Sequence, residues 1–152
     1  MKPAYIKYLI ESVFEIFSEN FNLPPKKEKV SFDAHGLKAD VVATIGLIGD
    51  LEGSIILLTD NKTALNIASK MFQDDIKELD DLSLSSISEL LNFIAGRMIT
   101  KLYQLKYDND ITPPTIAVKR VVELDYANSI GVRILLESDM GKLEFALTKN
   151  KK

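Results

Sequence analysis

The sequence predicts an α+β fold made of two pseudo-repeated halves. Each half is a long helix followed by three strands, and together they form a largely antiparallel sheet packed against helices. Three observations carry this. Helix-period apolar stripes run through residues 3–21 and 82–107, and strand-like runs follow each of them. Each helix is followed by a proline pair, first Leu23-Pro24-Pro25 and then Thr112-Pro113-Pro114. The halves also echo one another: Ile45-Gly46-Leu47 matches Ile130-Gly131-Val132, and the run from Gly53 to Thr59 matches that from Gly141 to Thr148. Together these point to a tandem duplication with a short helix between the halves, convergent turn chemistry being the alternative.

In the first helix, Ile6, Leu9, Ile10, Val13, Phe17 and Phe21 keep one face apolar. The Leu23-Pro24-Pro25 run ends it, because a residue before proline is pushed out of helical geometry. Strands are expected at 30–34, 39–48 and 54–59, with turns at His35-Gly36 and Gly49-Asp50-Leu51-Glu52-Gly53. Ile55-Ile56-Leu57-Leu58 is apolar throughout, as in a central strand covered on both faces. Asp60 or Asn61 can cap a short helix whose inner side is Ala64, Leu65, Ile67, Ala68 and Met71.

An acidic stretch at 74–81 suits the positive N-terminus of the long helix that follows, although it also reads as a charged linker. That helix buries Leu84, Ile87, Leu91, Ile94, Met98, Leu102 and Leu105 on its inner face. It stops before Asp108-Asn109-Asp110, and the chain restarts in extended form through Ile111-Thr112-Pro113-Pro114. Strands are expected at 115–124, 130–136 and 142–148, with turns at Ala127-Asn128 and Ser138-Asp139-Met140-Gly141. One domain therefore covers 1–148, and 149–152 is a basic, disordered tail.

Composition narrows the function classes. With 46% hydrophobic and 27% charged residues, the 152-residue chain is an ordinary globular domain. A net charge of −3 gives no basic stripe for nucleic acid, and the lysines at 26, 27, 29, 149, 151 and 152 read as solvated ends. There is no cysteine, so disulfides, zinc-thiolate sites and thiol nucleophiles are closed. His35, the single histidine, sits beside Gly36 as a turn residue. No apolar run approaches a membrane span, and Lys7, Glu11 and Glu15 interrupt any signal-peptide pattern, so a cytoplasmic protein is expected.

The residues that folding does not require lie on the outer face of the second long helix. Ser85, Glu89, Asn92 and Gly96 share a wedge of roughly 60° there. Asparagine competes for backbone hydrogen bonds and glycine costs about 1 kcal/mol in a helix interior, so neither suits an ordinary surface helix. A glycine fits where something must lie close to the helix; tight internal packing is its structural alternative. Phe93 and Ile99 border the wedge as candidate anchors. An amide cannot act as a base, but it can hold a water by donating and accepting hydrogen bonds, which matters in phosphoryl transfer. Glu89 has a second reading, as the last residue of a capping box opened by Ser86. With Glu11 aligned on Glu89, the first helix places Phe14 where Asn92 would be, so a site of this kind exists in one copy.

The run from Leu82 through Ser85, Glu89 and Asn92 to Gly96, followed by Asp110-Ile-Thr-Pro113-Pro114-Thr, resembles the signature of the CheC/CheX/FliY phosphatases. The stretch from Ile45 to Ser54 and Thr63-Ala-Leu-Asn-Ile-Ala-Ser69 are similar to that family too, and the likeness runs from about Tyr5 to Thr148. Size and the single motif copy resemble the CheX branch, because CheC members normally carry the motif in both halves. The resemblance implies a CheC-like fold and hydrolysis of the phospho-aspartate of a CheY-type response regulator. It makes Asn92 the residue that orients the attacking water and Glu89 the partner of the regulator's active-site lysine. Ser85, Gly96 and Pro113 become contact or shaping positions. It implies no cofactor of the chain's own, Mg²⁺ being supplied by the regulator, and a homodimer joining sheets edge to edge. Phe93 and Arg97 depart from the usual pattern, which bears on affinity and partner choice. A module that binds a regulator or itself without hydrolysis is the alternative, and it would tolerate loss of the Asn92 amide.

Overall fold

The computed structural model describes residues 1–34, 36–122 and 129–151. The elements in order are α1 (Pro3–Phe21), β1 (Lys27–Ser31), β2 (Leu37–Gly49), β3 (Gly53–Thr59), α2 (Asn61–Phe72), α3 (Asp81–Gln104), β4 (Asn109–Ile111), β5 (Thr115–Val122), β6 (Ser129–Ser138) and β7 (Gly141–Asn150).

All seven strands join one sheet in the order β1-β6-β7-β3-β2, with β4 and β5 both pairing along the outer side of β2. Every pairing is antiparallel. Exchanging β1, β2 and β3 for β5, β6 and β7 reverses this order onto itself, as a duplicated half related by a two-fold axis requires. The axis passes between β3 and β7, where Leu57 stands opposite Phe145, the residues that the Gly53 and Gly141 echo matches.

The helices cover one face. Their buried residues pack with Val41, Ala43, Ile45 and Leu47 of β2, Ile55 and Leu57 of β3, and Phe145 and Leu147 of β7 in one cluster. The other side of β3 contributes Ile56 and Leu58 to a second cluster with Val42, Ala146, Leu37 and Ala34. This is why Ile55–Leu58 carries no polar alternation: both faces of the central strand are dry.

Several boundaries depart from the sequence reading. The first strand lies at Lys27–Ser31 rather than 30–34, held by its pairing to β6 from Lys27 opposite Glu137 to Ser31 opposite Arg133. β4 has no counterpart among the expected strands. It forms because Asn109–Ile111 reaches the end of β2, and Thr112 then spans to β5 by bonding Gly46 in both directions. The long helix ends at Gln104, so Leu105 becomes its C-cap and is 47% exposed instead of buried. β7 runs to Asn150, with Lys149 opposite Gly53, so the basic tail begins later than residue 149. His35, the expected strand end at 123–124, the Ala127-Asn128 turn and Lys152 lie outside the described residues.

Candidate functional site

The start of α3 decides how Glu89 is used. Asp80 is the N-cap: its carboxylate accepts from the Ser83 amide at 2.9 Å, and the Ser83 hydroxyl accepts from the Asp80 amide at 2.8 Å. These two bonds satisfy N-terminal donors that the helix itself leaves open. The Ser83 amide and the Ser83 hydroxyl, which lies 3.1 Å from the same carboxylate oxygen, hold the Asp80 carboxyl below its ordinary pKa. Glu89 therefore sits more than two turns inside the helix, and the capping box at Ser86 does not form. Ser86 is buried and donates back to the Ser83 carbonyl at 2.6 Å.

The other end of α3 is fixed by the β2–β3 turn. The Asp50 amide donates to the Asp108 carbonyl at 2.9 Å, the Asp108 amide to the Asp50 carboxylate at 2.7 Å, and the Leu51 amide to Asn109 Oδ1 at 2.8 Å. Gly49 permits this close approach. It has φ +116°, and a Cβ there would stand 2.3 Å from the Asp108 carbonyl oxygen.

Along α3 the inner face buries Ile87, Leu90, Leu91, Ile94, Ala95, Met98 and Leu102. The outer face carries the wedge. Ser85 and Glu89 are exposed, while Asn92 and Gly96 are half-buried. The Ser85 hydroxyl is turned back onto the Leu82 carbonyl at 2.6 Å. Among the described residues, neither Glu89 nor Asn92 has a side-chain hydrogen bond or ion pair. As an i,i+3 pair, their Cβ atoms stand roughly 5–6 Å apart on one surface. At Gly96 an added methyl would meet nothing within 4 Å, so internal packing does not explain this glycine.

Of the bordering residues, Phe93 is 42% exposed. Ile99 is half-buried and packs against the main core on the far flank of the wedge. Pro113 is exposed in the β4–β5 link at the sheet edge, on a different element from the other candidates. Two residues that the sequence reading did not count among the site candidates belong to the same outer stripe. Leu82 is 55% and Tyr103 69% exposed, and 82, 85, 89, 93, 96, 100 and 103 follow the helical 3–4 spacing. Extending the wedge along that spacing would have found both.

Arg97 borders the wedge on the α1 side, where it makes a bidentate bond to Glu19 of α1 at 2.7 Å on each arm. That fork holds the Glu19 carboxyl below its ordinary pKa and raises Arg97. Lys101 lies 2.9 Å from Glu15 and 3.5 Å from Glu11, and its own pKa is raised, chiefly by Glu15. Beside Phe93 a cavity of about 310 Å³ opens between three helices. It is lined by Asn20 and Phe21 of α1, Lys70 and Met71 of α2 with Gln73 just beyond, and Leu90 and Phe93 of α3. Among the described residues no three carboxylates or imidazoles gather as metal ligands.

Comparison with known proteins places this arrangement. The model of the family described as "Chemotaxis phosphatase CheX" matches residues 41–135, which include the whole wedge. The CheY-P phosphatase CheX of Thermotoga maritima is 36% identical over 138 residues, 90% of this chain and 87% of that protein. The chain belongs to the CheX family of chemotaxis phosphatases. Among solved structures, a CheC-like superfamily protein from Shewanella sp. PV-4 superposes with a TM-score of 0.84 at 20% identity, covering 100% of both chains. The CheX of the CheX–CheY–BeF₃–Mg²⁺ complex from Borrelia burgdorferi superposes with a TM-score of 0.81 at 24% identity, covering 97% of this chain and 98% of that one. At these identities the two structures establish a shared CheC-like fold. No helix among the described residues is long and apolar enough to cross a membrane.

Proposed function

We propose that this CheX-family chain hydrolyses the phospho-aspartate of a CheY-type chemotaxis response regulator, with α3 laid against the regulator's active site. One observation carries the assignment of residues: Glu89 and Asn92 share an outer helix face with no intramolecular partner among the described residues. A carboxylate and an amide left free side by side on one helix face are available to another molecule.

In this reading, Asn92 donates to and accepts from a water and holds it in line with the leaving carboxylate oxygen. The water oxygen forms a bond to phosphorus as the bond between phosphorus and the aspartyl oxygen breaks, releasing inorganic phosphate and a free carboxylate. Glu89 pairs with the regulator's active-site lysine and so sets the register of docking. Mg²⁺ held by the regulator neutralises the phosphoryl oxygens, and the chain contributes no cofactor. Ser85 and Gly96 let the regulator approach the helix, Phe93 and Ile99 flank the contact, and Pro113 shapes the segment beyond it. The Borrelia complex, in which a CheX is found with CheY, BeF₃ and Mg²⁺, supports a partner of this kind.

A homodimer joined through sheet edges accompanies this reading, as does a cytoplasmic setting. At one end of the sheet, β1 presents Glu28 and Lys29, charges that discourage edge pairing. At the other, β5 pairs only with β2 and offers Thr115-Ile116-Ala117-Val118, with Val118 47% exposed. The β5 edge is the better candidate for a second copy.

The test is release of phosphate from the host's phosphorylated CheY-type regulators with Mg²⁺ present. Acceleration over the regulator's own rate, abolished by Asn92→Ala with binding retained, is the expected result. A wild-type chain that binds every host regulator without speeding phosphate loss would leave only the binding-module reading.

A further inference from the structure

Beyond the Glu89 and Asn92 pair, we infer that the cavity beside Phe93 is a second foothold for the regulator, taking an apolar side chain flanked by a carboxylate. The inference rests on the proposed docking of α3 onto the regulator and adds a specificity-determining pocket to it.

The cavity is not a continuation of the wedge along one helix. Its floor is Leu90 and Phe93 of α3, but its walls come from the end of α1, at Phe21, and the end of α2, at Lys70 and Met71. Both helices stop there with a left-handed C-cap, Asn22 at φ 53° and Gln73 at φ 52°, so neither continues across the opening. Phe21 and Leu90 are buried, Met71 is half-buried and Phe93 is 42% exposed. The lining is mixed: Phe21, Met71, Leu90 and Phe93 give the cavity an apolar side, and Asn20, Lys70 and Gln73 a polar one.

Position supplies the occupant. Phe93 lies one helical turn, some 5.4 Å, beyond Glu89 on the same flank of α3, so a protein that docks over the Glu89 and Asn92 pair brings its neighbouring surface close to the cavity. Charge narrows the match. Lys70 is exposed at the rim and has no ion pair among the described residues, whereas Arg97, on the same side of α3, is already clasped by Glu19. Among the described residues, Glu89 over the wedge and Lys70 over the cavity both lack an ion pair, as does Asp81 at the start of the same helix face. A complementary partner presents a cation to the first, and an apolar side chain with an adjacent carboxylate to the second. The regulator's lysine answers Glu89; its surface next to the active site answers the cavity.

The experiment separates this from the catalytic reading. Steady-state dephosphorylation of the host regulator is measured for the wild type, Phe93→Ala, Met71→Ala and Lys70→Glu. Affinity for the beryllofluoride-activated regulator is measured alongside. Phe93→Ala should raise KM and Kd about tenfold with kcat within about twofold, and Met71→Ala should do the same more weakly. Lys70→Glu should raise KM at low salt, with the difference shrinking at high salt. Phe93→Leu, which keeps an apolar group at the mouth, should recover most of the affinity. Unchanged KM and Kd in Phe93→Ala and Met71→Ala would overturn the pocket while leaving the Asn92 chemistry standing. Loss of affinity in these variants, with no hydrolysis by the wild type, would keep the pocket and remove the catalysis. A fall in the chain's own sedimentation mass with regulator affinity intact would make the cavity a contact between copies, and would overturn the inference.

Discussion

The helices α1 and α3 hold matching places in the two halves, and their faces are put to opposite uses. On α1 the carboxylate equivalent to Glu89 is Glu11, which lies between Lys7 at 3.9 Å and Lys101 at 3.5 Å. Glu15 and Glu19 are likewise taken by Lys101 and Arg97. Where α3 has Asn92, α1 has Phe14, half-buried against the main core. So α1 commits its polar groups to α3, and it does so through cations that α3 carries at positions 97 and 101. On α3 itself, Glu89 and Asn92 receive nothing in return among the described residues, and Gly96 gives up helix stability without an internal contact. A free carboxylate, more than the presence of a carboxylate, separates the candidate site from its silent copy.

Substitutions can break this comparison, and the largest effect is expected at the amide. Asn92→Ala should lower phosphatase turnover by about 100-fold or more while leaving the melting temperature within a degree or two, because the side chain holds nothing in its own chain. The reciprocal Phe14→Asn should give no second site, since Glu11 remains held by Lys101. A gain in turnover there, read in the same phosphate-release assay, would show that the ion pairs do not silence α1.

The carboxylates come next. Glu89→Gln should raise the regulator KM roughly tenfold, the loss of one charge-assisted contact. Glu11→Gln should leave KM alone and cost at most about 1 kcal/mol in denaturant unfolding, as exposed ion pairs do. Equal kinetic effects of the two would erase the distinction between the faces.

Gly96→Ala sharpens the same point with a smaller change of opposite signs. A methyl there meets nothing, so the variant should gain about 1 kcal/mol of stability from helix propensity alone. If the regulator lies close to the helix, it should lose affinity by a few-fold at the same time. Greater stability with unchanged KM would mean that the glycine is incidental.

The smallest effect concerns acid. Asp80 and Glu19 have carboxyls held below their ordinary pKa, by the Ser83 hydrogen bonds and by Arg97 respectively. A folded-state pKa below the unfolded one stabilises the fold at pH above the ordinary carboxylate range, and that contribution disappears as pH falls through it. Melting temperature should therefore decline on going from neutral pH toward pH 3–4. Asp80→Ala should flatten part of that decline, because it removes the cap of the helix that carries the site.

Periodicity and turn residues alone gave the α+β class, the two long helices near their observed limits, the short helix between the halves, the central β3 strand and Asp60 as one of two cap candidates, because these depend on neighbours a few residues apart. The wedge was legible for the same reason: helical spacing puts 85, 89, 92 and 96 on one face whatever packs beneath. The single copy followed from comparing two stretches of sequence, and the family motif gave the wedge a reaction. What needed the fold lies between elements. β4 exists because residues 109–111 meet β2 some 60 positions earlier in the chain, and Leu105 is exposed because α3 is turned off by the Asp50 and Asp108 bonds. The capture of Glu11, Glu15 and Glu19 by α3, and the cavity walled by α1 and α2 beside Phe93, have no local signature at all. Spacing along one helix decides which side chains face outward together. Only packing decides which of them find a partner within the chain, and among the described residues Glu89 and Asn92 find none.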